Sequence, residues 1–109
     1  MNIEELIYQI KKRPGMYVGC IKLEPVFHFI NGFMLNNIIT GKVDKIEEEY
    51  RENFNEWVRK QLKNKYTIEF DKHHNYLFYI IQVSRDSEEA LEIFFELAER
   101  FFEELHHQN

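Results

Sequence analysis

The sequence predicts a mainly α-helical fold, a compact bundle of four or five helices in a single domain over residues 1–109. Only 4 Gly and 2 Pro occur in 109 residues, so the chain has few positions at which a helix must break. Apolar residues recur three and four positions apart through much of the chain, which is the spacing of one helix face. The length lies within the usual range for one domain, roughly 100 to 150 residues.

The first predicted helix begins at Asn2, an N-cap residue with Glu5 three positions later, as in a capping box. Pro14-Gly15 ends this helix, and the basic residues just before it suit the negative end of the helix dipole. The apolar residues fall on one face: Ile3, Leu6, Ile7 and Ile10. We therefore expect a short amphipathic helix.

The second predicted helix begins at Glu24-Pro25, because proline fits a first helical turn, and it ends at Gly41. Its apolar residues cover most of the circumference, so we expect it to be the central helix of the bundle. Gly32 lies inside it at a cost of about 1 kcal/mol relative to alanine, which predicts the close approach of another helix.

The middle of the chain leaves two questions open. Residues 44–62 predict one helix, or two helices broken near residues 53–55. The next stretch alternates apolar and polar side chains as a half-buried strand does. Residues 76–83 are apolar almost all round, which fits either a buried helix capped by Asn75 or a second strand. A small β-hairpin over residues 66–83 is therefore the structural alternative.

The last predicted helix begins at Asp86, with Glu89 in the position that completes a capping box. Residues 106–109 are expected to form a frayed end. A wide apolar face must be buried against the other helices. It consists of Leu91, Phe94, Phe95, Leu97, Ala98, Phe101, Phe102 and Leu105.

Charge and composition argue against several functional classes. With 19 carboxylates against 14 Lys and Arg, the net charge of -5 makes nucleic acid an unexpected partner, since phosphate binding needs a basic excess. The apolar runs fall far short of the ~20 residues of a bilayer-spanning helix, and the N-terminus does not resemble a secretory leader. A single cysteine is typical of a reducing compartment, so we expect a cytoplasmic protein. We predict no metal, no cofactor and no catalytic residues, since the histidines and nucleophiles lack the required spacing.

The most informative pattern is a row of glutamates on the other face of the last helix. Residues 84–105 hold eight carboxylates against two arginines, so this segment accounts for the whole net negative charge of the chain. At 100 degrees per residue, five of the glutamates fall within a stripe about 80 degrees wide. These five, here called the acidic stripe, are Glu88, Glu92, Glu96, Glu99 and Glu103.

Three explanations of the acidic stripe remain open on the sequence alone. It is a solvated face that maintains solubility, or it is neutralised within the molecule by a basic cluster, or it is a docking surface for a basic partner. The basic cluster consists of Arg59, Lys60, Lys63 and Lys65. The docking interpretation predicts that the five carboxylates are exposed and unpaired within the molecule.

Residues 13–19 read Arg-Pro-Gly-Met-Tyr-Val-Gly. This run resembles the Arg-Pro-Gly-Met-Tyr-Ile-Gly stretch near the start of the ATPase subunits of DNA gyrase and related type II topoisomerases. In those subunits the next helix supplies a Glu that activates water, and Gly-rich phosphate loops follow. Here residues 27–32 contain no such Glu and no Gly-rich loop follows, so ATP hydrolysis is not expected. The run predicts a helix stop whose Met16 and Tyr17 side chains fill the core.

A wider resemblance combines this motif with residues 54–58, Phe-Asn-Glu-Trp-Val, and residues 94–97, Phe-Phe-Glu-Leu. The three together are similar to a group of small, mostly uncharacterised bacterial proteins. The resemblance implies a compact helical domain and supplies no catalytic residues. Some small acidic bacterial proteins serve as immunity partners of secreted toxins, which is a likeness of profile rather than of motif.

The sequence therefore predicts a non-catalytic binding protein, most specifically one of the immunity or antitoxin type, which presents the acidic stripe to a basic, toxin-like protein. An alternative is a small nucleotide- or anion-binding module. Its candidate residues are Arg13, Gly15, Gly19 and Lys22, which lie in one segment and could meet an anion. A third alternative is a self-associating domain that uses its many aromatic residues in a homodimer interface.

Overall fold

A computed structural model describes residues 1–19 and 21–108, with the side chains of all of these except Tyr17 and Val18. Within those ranges the chain forms six helices and no strand, which confirms the mainly helical prediction. The helices are α1 (Ile3–Lys12), α2 (Pro14–Val18), α3 (Leu23–Thr40), α4 (Lys45–Tyr66), α5 (Tyr76–Val83) and α6 (Ser87–His107). Two short helices, α2 and α5, accompany four longer ones.

Four helices begin at a side chain that caps the first turn. Asn2, Asp44, Asn75 and Asp86 each accept a hydrogen bond from the backbone N–H three residues later, at 2.8 or 2.9 Å. Such a cap satisfies one of the backbone donors that a helix leaves without an internal partner. The predicted starts at Asn2, Asn75 and Asp86 are confirmed.

The hairpin alternative for residues 66–83 is wrong. Tyr66 is the last residue of α4, and residues 76–83 form α5 behind the Asn75 cap. Asn55, inside α4, accepts a hydrogen bond from the backbone N–H of Tyr76 at 2.8 Å and so fixes the start of α5. The break predicted near residues 53–55 is also wrong, because α4 is continuous from Lys45 to Tyr66.

The core is built around α6. Its buried residues include four phenylalanines, and the rings of three of them pack against Tyr50 and Phe54 of α4 and against Tyr76 of α5. The face predicted from the sequence is the face that the fold buries. Its buried members are Leu91, Phe94, Phe95, Leu97, Ala98, Phe101 and Phe102, while Leu105 is partly buried.

The prediction that residues 24–40 form the central helix is wrong, although the helix itself is present and ends at Gly41. That glycine has a φ of +69°, which suits a residue without a side chain. One side of α3 faces outward and leaves Leu35, Ile38 and Ile39 exposed. Gly32 is exposed as well, and no atom lies within 4 Å of the position that a Cβ would take, so no helix approaches there.

Two further predictions, the burial of Met16 and the frayed C-terminal end, are wrong. Met16 is 73% exposed and does not fill the core, because α2 presents this side chain to solvent, while the side chain of Tyr17 lies outside the described part. His106 and His107 belong to α6 rather than to a frayed end. The ring of His106 lies 2.8 Å from a carboxylate oxygen of Glu4, which ties the end of α6 to the start of α1. Asn109 is not among the described residues.

Candidate functional site

The acidic stripe lies on the solvent-facing side of α6. All five of its glutamates are exposed, and the opposite side of the same helix is buried in the core. The N-terminal capping and the apolar face together fix how α6 is rotated about its axis, because turning it would expose several phenylalanines. The position of the stripe therefore follows directly from the packing of the core.

Only one member of the acidic stripe has an ion-pair partner among residues 1–19 and 21–108. Glu99 pairs with the ammonium group of Lys11 in the last turn of α1. No salt bridge within the described chain involves Glu88, Glu92, Glu96 or Glu103. Four of the five stripe carboxylates thus keep their charges uncompensated by direct pairing within the described chain.

The basic cluster of α4 does not neutralise the acidic stripe. Arg59 is buried and donates to Glu56 of its own helix, with an Nε–Oε2 distance of 2.9 Å. Lys63 pairs with Glu69 at 3.0 Å. Within the described part of the chain, Lys60 and Lys65 are exposed and form no salt bridge with the stripe. The explanation by neutralisation within the molecule is therefore not supported for this cluster.

The two arginines of the α6 segment are also engaged away from the stripe. Arg85 donates to Glu89 at 2.7 Å, and hydrogen bonds from the Arg85 backbone and guanidinium hold the pKa of Glu89 below its usual range. Arg100 donates to the side-chain oxygen of Gln61 at 2.7 Å and lies over the Trp57 ring. Arg100 therefore does not form the pair with Glu96 that their four-residue spacing would permit.

A groove runs between α1 and α6, directly beside the acidic stripe. The half of the groove beside the C-terminal part of α6, here called its C-terminal half, has a volume of about 370 Å³. It is lined by Ile7 and Tyr8 of α1 and by Phe95 and Phe102 of α6. Glu99 and Glu103 of the stripe line the same cavity. This half of the groove therefore combines an apolar floor with an acidic edge.

The N-terminal half of the groove has a volume of about 470 Å³. Pro14 and Ile21 form one wall, and Leu91 and Phe95 of α6 form the floor. Its edge consists of Glu88, Glu92 and Glu96. The two halves share Lys11, Phe95 and Glu99, so the Lys11–Glu99 ion pair lies where they meet. We call the two halves together the α1–α6 groove.

The residues of the alternative anion site lie at the ends of helices. Arg13 is the residue between α1 and α2, Gly19 ends α2 in a left-handed conformation, and Lys22 precedes α3. Arg13, Gly15, Gly19 and Lys22 are all exposed. Pro14 and Ile21 of this segment line the same cavity as Glu88 and Glu92, so an anion bound here would approach uncompensated carboxylates.

Sequence reasoning found the acidic edge of the α1–α6 groove but missed its other wall. Both Tyr8 and Lys11 of that wall lie on α1; the sequence pattern gives Tyr8 no role and indicates Lys11 only as a cation at the negative end of the α1 dipole. The available signal was Tyr8, an aromatic residue that does not share the face of Leu6, Ile7 and Ile10 and is 55% exposed. The wall also depends on the pairing of α1 with α6, and Lys11 and Glu99 are 88 positions apart in the sequence.

Two buried tyrosines contribute to the core rather than to the groove. The hydroxyl groups of Tyr50 and Tyr76 have no hydrogen-bond partner within the described chain. Burial raises the pKa of both phenols. Among the residues described here, no group of three or more His, Cys, Asp and Glu side chains is arranged to hold a metal ion. No helix in the same part of the chain has the length and apolar character needed to cross a bilayer.

Comparisons of the chain with protein-family models, with curated proteins and with solved structures give no match. The class that the geometry defines is thus a small helical domain with an apolar groove and an acidic edge.

Proposed function

We propose that this protein is a non-catalytic binding protein, of the immunity or antitoxin type, which recognises a basic protein through the acidic stripe of α6. The observation that carries the proposal is the exposure of all five stripe glutamates, of which only Glu99 has an ion-pair partner among residues 1–19 and 21–108. A preformed surface of one charge attracts an oppositely charged protein over a distance and raises the rate of encounter.

The arrangement of the stripe on a single rigid helix supports this interpretation over that of a solvated face. Like charges four residues apart on a helix repel one another and cost a few tenths of a kcal/mol per pair. Here the repulsion persists although arginines occur nearby, because Arg85 and Arg100 bind other groups. A basic partner would relieve the repulsion and gain that free energy on binding.

The first test asks for a partner in the cell. Each gene adjacent to the one that encodes this chain is expressed alone and then together with this protein. We expect one neighbour to be toxic alone and harmless in the presence of this protein, and we expect the two purified proteins to form a complex. If no neighbouring product is inhibited or bound, the immunity proposal is wrong.

The second test addresses the surface on that pair. The triple substitution of Glu92, Glu96 and Glu103 by Gln should slow association with the basic partner by about tenfold at low salt and flatten its salt dependence. The matched control removes three exposed carboxylates elsewhere, Glu5, Glu48 and Glu52, and has the same net charge. Equal association rates for the two triple variants would mean that the stripe is only a solvated face.

The anion-binding alternative has a direct test of its own. Calorimetry with ATP, GTP and inorganic phosphate would detect binding to the segment that contains Arg13 and Lys22. We expect no binding at millimolar concentration, because Glu88 and Glu92 border the same cavity as Pro14 and Ile21. Binding that disappears in Arg13→Ala would favour the alternative.

A further inference from the structure

We infer that the α1–α6 groove is the docking site for an amphipathic basic helix, whose apolar side chains enter the groove and whose cationic side chains meet the acidic stripe. The inference rests on the proposed function and specifies the chemistry of the partner segment. The docking site is the groove with its apolar walls. The charges along the edge of the groove determine which occupant fits.

The groove offers apolar surface on both sides of the Lys11–Glu99 ion pair. Tyr8 is 55% exposed in the C-terminal half, and Ile21 is 56% exposed in the N-terminal half. Phe95 forms part of the floor in both halves. Two cavities separated by a bridge suit apolar side chains that project from one face of a helix at spacings of three, four and seven residues.

The length of the groove also suits a helix. Its lining on α6 extends from Glu88 to His107, which corresponds to about 30 Å at the rise of an α-helix. A partner helix of about five turns would cover that distance. Its apolar face would be in contact with both cavities at once.

Charge complementarity selects a cationic occupant. Five glutamates of α6 line the two cavities, while Lys11 is the one Lys or Arg among the lining residues and is already paired with Glu99. An anionic membrane surface or a nucleic acid would be repelled along the whole edge. A second copy of this chain that docked through the same surface would bring its own acidic stripe against the first, which is unfavourable for the same reason.

The ion pair between Lys11 and Glu99 lies across the path of such a helix. An arginine or lysine of the partner would compete with Lys11 for Glu99. Removal of the Lys11 side chain should therefore strengthen binding, because it frees Glu99 and joins the two cavities. Removal of a lysine elsewhere on the surface makes the same change in net charge but does neither. Stronger binding after removal of Lys11 than after removal of another lysine is therefore specific to the groove.

The probe for the experiment is a peptide of about 18 residues made of Leu and Lys, with the leucines on one helical face, and a scrambled isomer of the same composition. Fluorescence anisotropy measures binding to the full chain. We expect the amphipathic peptide to bind about tenfold more tightly than its isomer, and to become helical in circular dichroism when it binds. Equal affinity for the two peptides would overturn the inference, because a general attraction between opposite charges would then account for the binding.

Variants of the groove sharpen the test. Tyr8→Ala with Ile21→Ala should weaken peptide binding about fivefold, whereas Leu35→Ala with Ile39→Ala, which removes exposed side chains of α3, should leave it unchanged. Lys11→Ala should strengthen binding about threefold relative to Lys42→Ala, which has the same net charge. Equal effects within either pair of variants would place the occupant outside the groove.

Two further outcomes separate this inference from the proposed function. Sedimentation at two concentrations tests the rival occupant, and a dimer that the Tyr8 and Ile21 substitutions dissociate would overturn the inference in favour of a second copy of the chain. If the natural basic partner binds through the acidic stripe but is insensitive to Tyr8→Ala with Ile21→Ala, the groove inference is wrong while the proposed function remains. If no basic partner exists, both are wrong.

Discussion

The two helices α3 and α6 are similar in length but differ in how much of their apolar surface they bury in the bundle. Of the 21 residues of α6, eight apolar residues are buried on one face and a row of glutamates is exposed on the other. In α3, which has 18 residues, only Leu23, Val26, Ile30 and Asn37 are buried, and large apolar residues remain in solvent. A sequence pattern that separates apolar from charged residues fixes the orientation of a helix, whereas a helix that is apolar all round does not reveal which face it buries.

This difference has a functional meaning. Because the orientation of α6 is fixed by its core face, its charged face is held in one position and can serve as a rigid surface. The exposed side of α3 carries Leu35, Ile38 and Ile39 and no row of charges.

The largest expected effect is the loss of a buried ring from α6. The Phe94 side chain is fully buried, and its ring centroid lies 5.1 Å from that of Tyr76 and 6.1 Å from that of Phe54. Phe94→Ala should lower the free energy of unfolding by about 3 to 5 kcal/mol in urea denaturation. The matched change in α3, Leu35→Ala, should alter it by less than about 0.5 kcal/mol, because Leu35 is 57% exposed. Similar losses would show that the outward side of α3, which carries Leu35, is packed as tightly as the buried face of α6.

The second prediction uses the buried tyrosine that packs against α6. Burial, with a smaller contribution from Tyr76, raises the pKa of Tyr50 well above its ordinary value, so at high pH the folded state holds a proton that the unfolded state releases. The contribution of the protonated Tyr50 to the free energy of unfolding is complete below the ordinary tyrosine pKa of about 10. It is lost as the pH rises above that value. Tyr50→Phe should therefore unfold less readily than the parent protein between about pH 10 and 11, and its advantage should increase with pH.

The control for this measurement is Tyr8→Phe, which replaces an exposed ring of α1. Urea midpoints are measured for the parent and both variants at several pH values from neutral to alkaline. The difference between Tyr50→Phe and the parent at neutral pH gives the baseline, because the phenol is protonated in both the folded and the unfolded state there. A constant difference between Tyr50→Phe and the parent at every pH would contradict the prediction.

The third prediction compares the starts of the two helices. Asp86 caps α6 by accepting a hydrogen bond from the Glu89 backbone at 2.8 Å, whereas Lys22 precedes α3 and makes no side-chain cap. Asp86→Ala should lower the free energy of unfolding by about 1 kcal/mol, and Lys22→Ala should leave it nearly unchanged. Thermal denaturation followed by circular dichroism measures both. An equal loss in the two variants would mean that capping does not distinguish the helices.

Most of the helices could be predicted because the signals that start them are local. Asn2, Asn75 and Asp86 cap the backbone within three residues, and the apolar faces of α1 and α6 repeat within a few turns. The placement of α3 could not be predicted, because its pattern is compatible with burial of any face. The acidic stripe could also be predicted, because its five glutamates are spaced three or four residues apart within the single helix α6.

The α1–α6 groove could not be predicted from the sequence, since it depends on a contact between distant segments. Tyr8 and Lys11 become one wall only when α1 packs beside α6, and Lys11 and Glu99 are 88 positions apart. The role of Asn55 was hidden in the same way. Its side chain accepts from the backbone of Tyr76, so an asparagine that resembles a helix break instead fixes the next helix.

The smallest predicted effect concerns the glycine inside α3. A close helix contact at Gly32 would make alanine destabilising there, but the structure has no atom within 4 Å of the Cβ position. Gly32→Ala should therefore raise the free energy of unfolding by about 0.5 to 1 kcal/mol, since alanine restricts the unfolded chain and favours the helix. The same substitution at Gly41, where φ is +69°, should lower it because the left-handed conformation strains any residue with a Cβ. If Gly32→Ala is destabilising, α3 is packed on the side that the structure leaves exposed, and the contrast between α3 and α6 disappears.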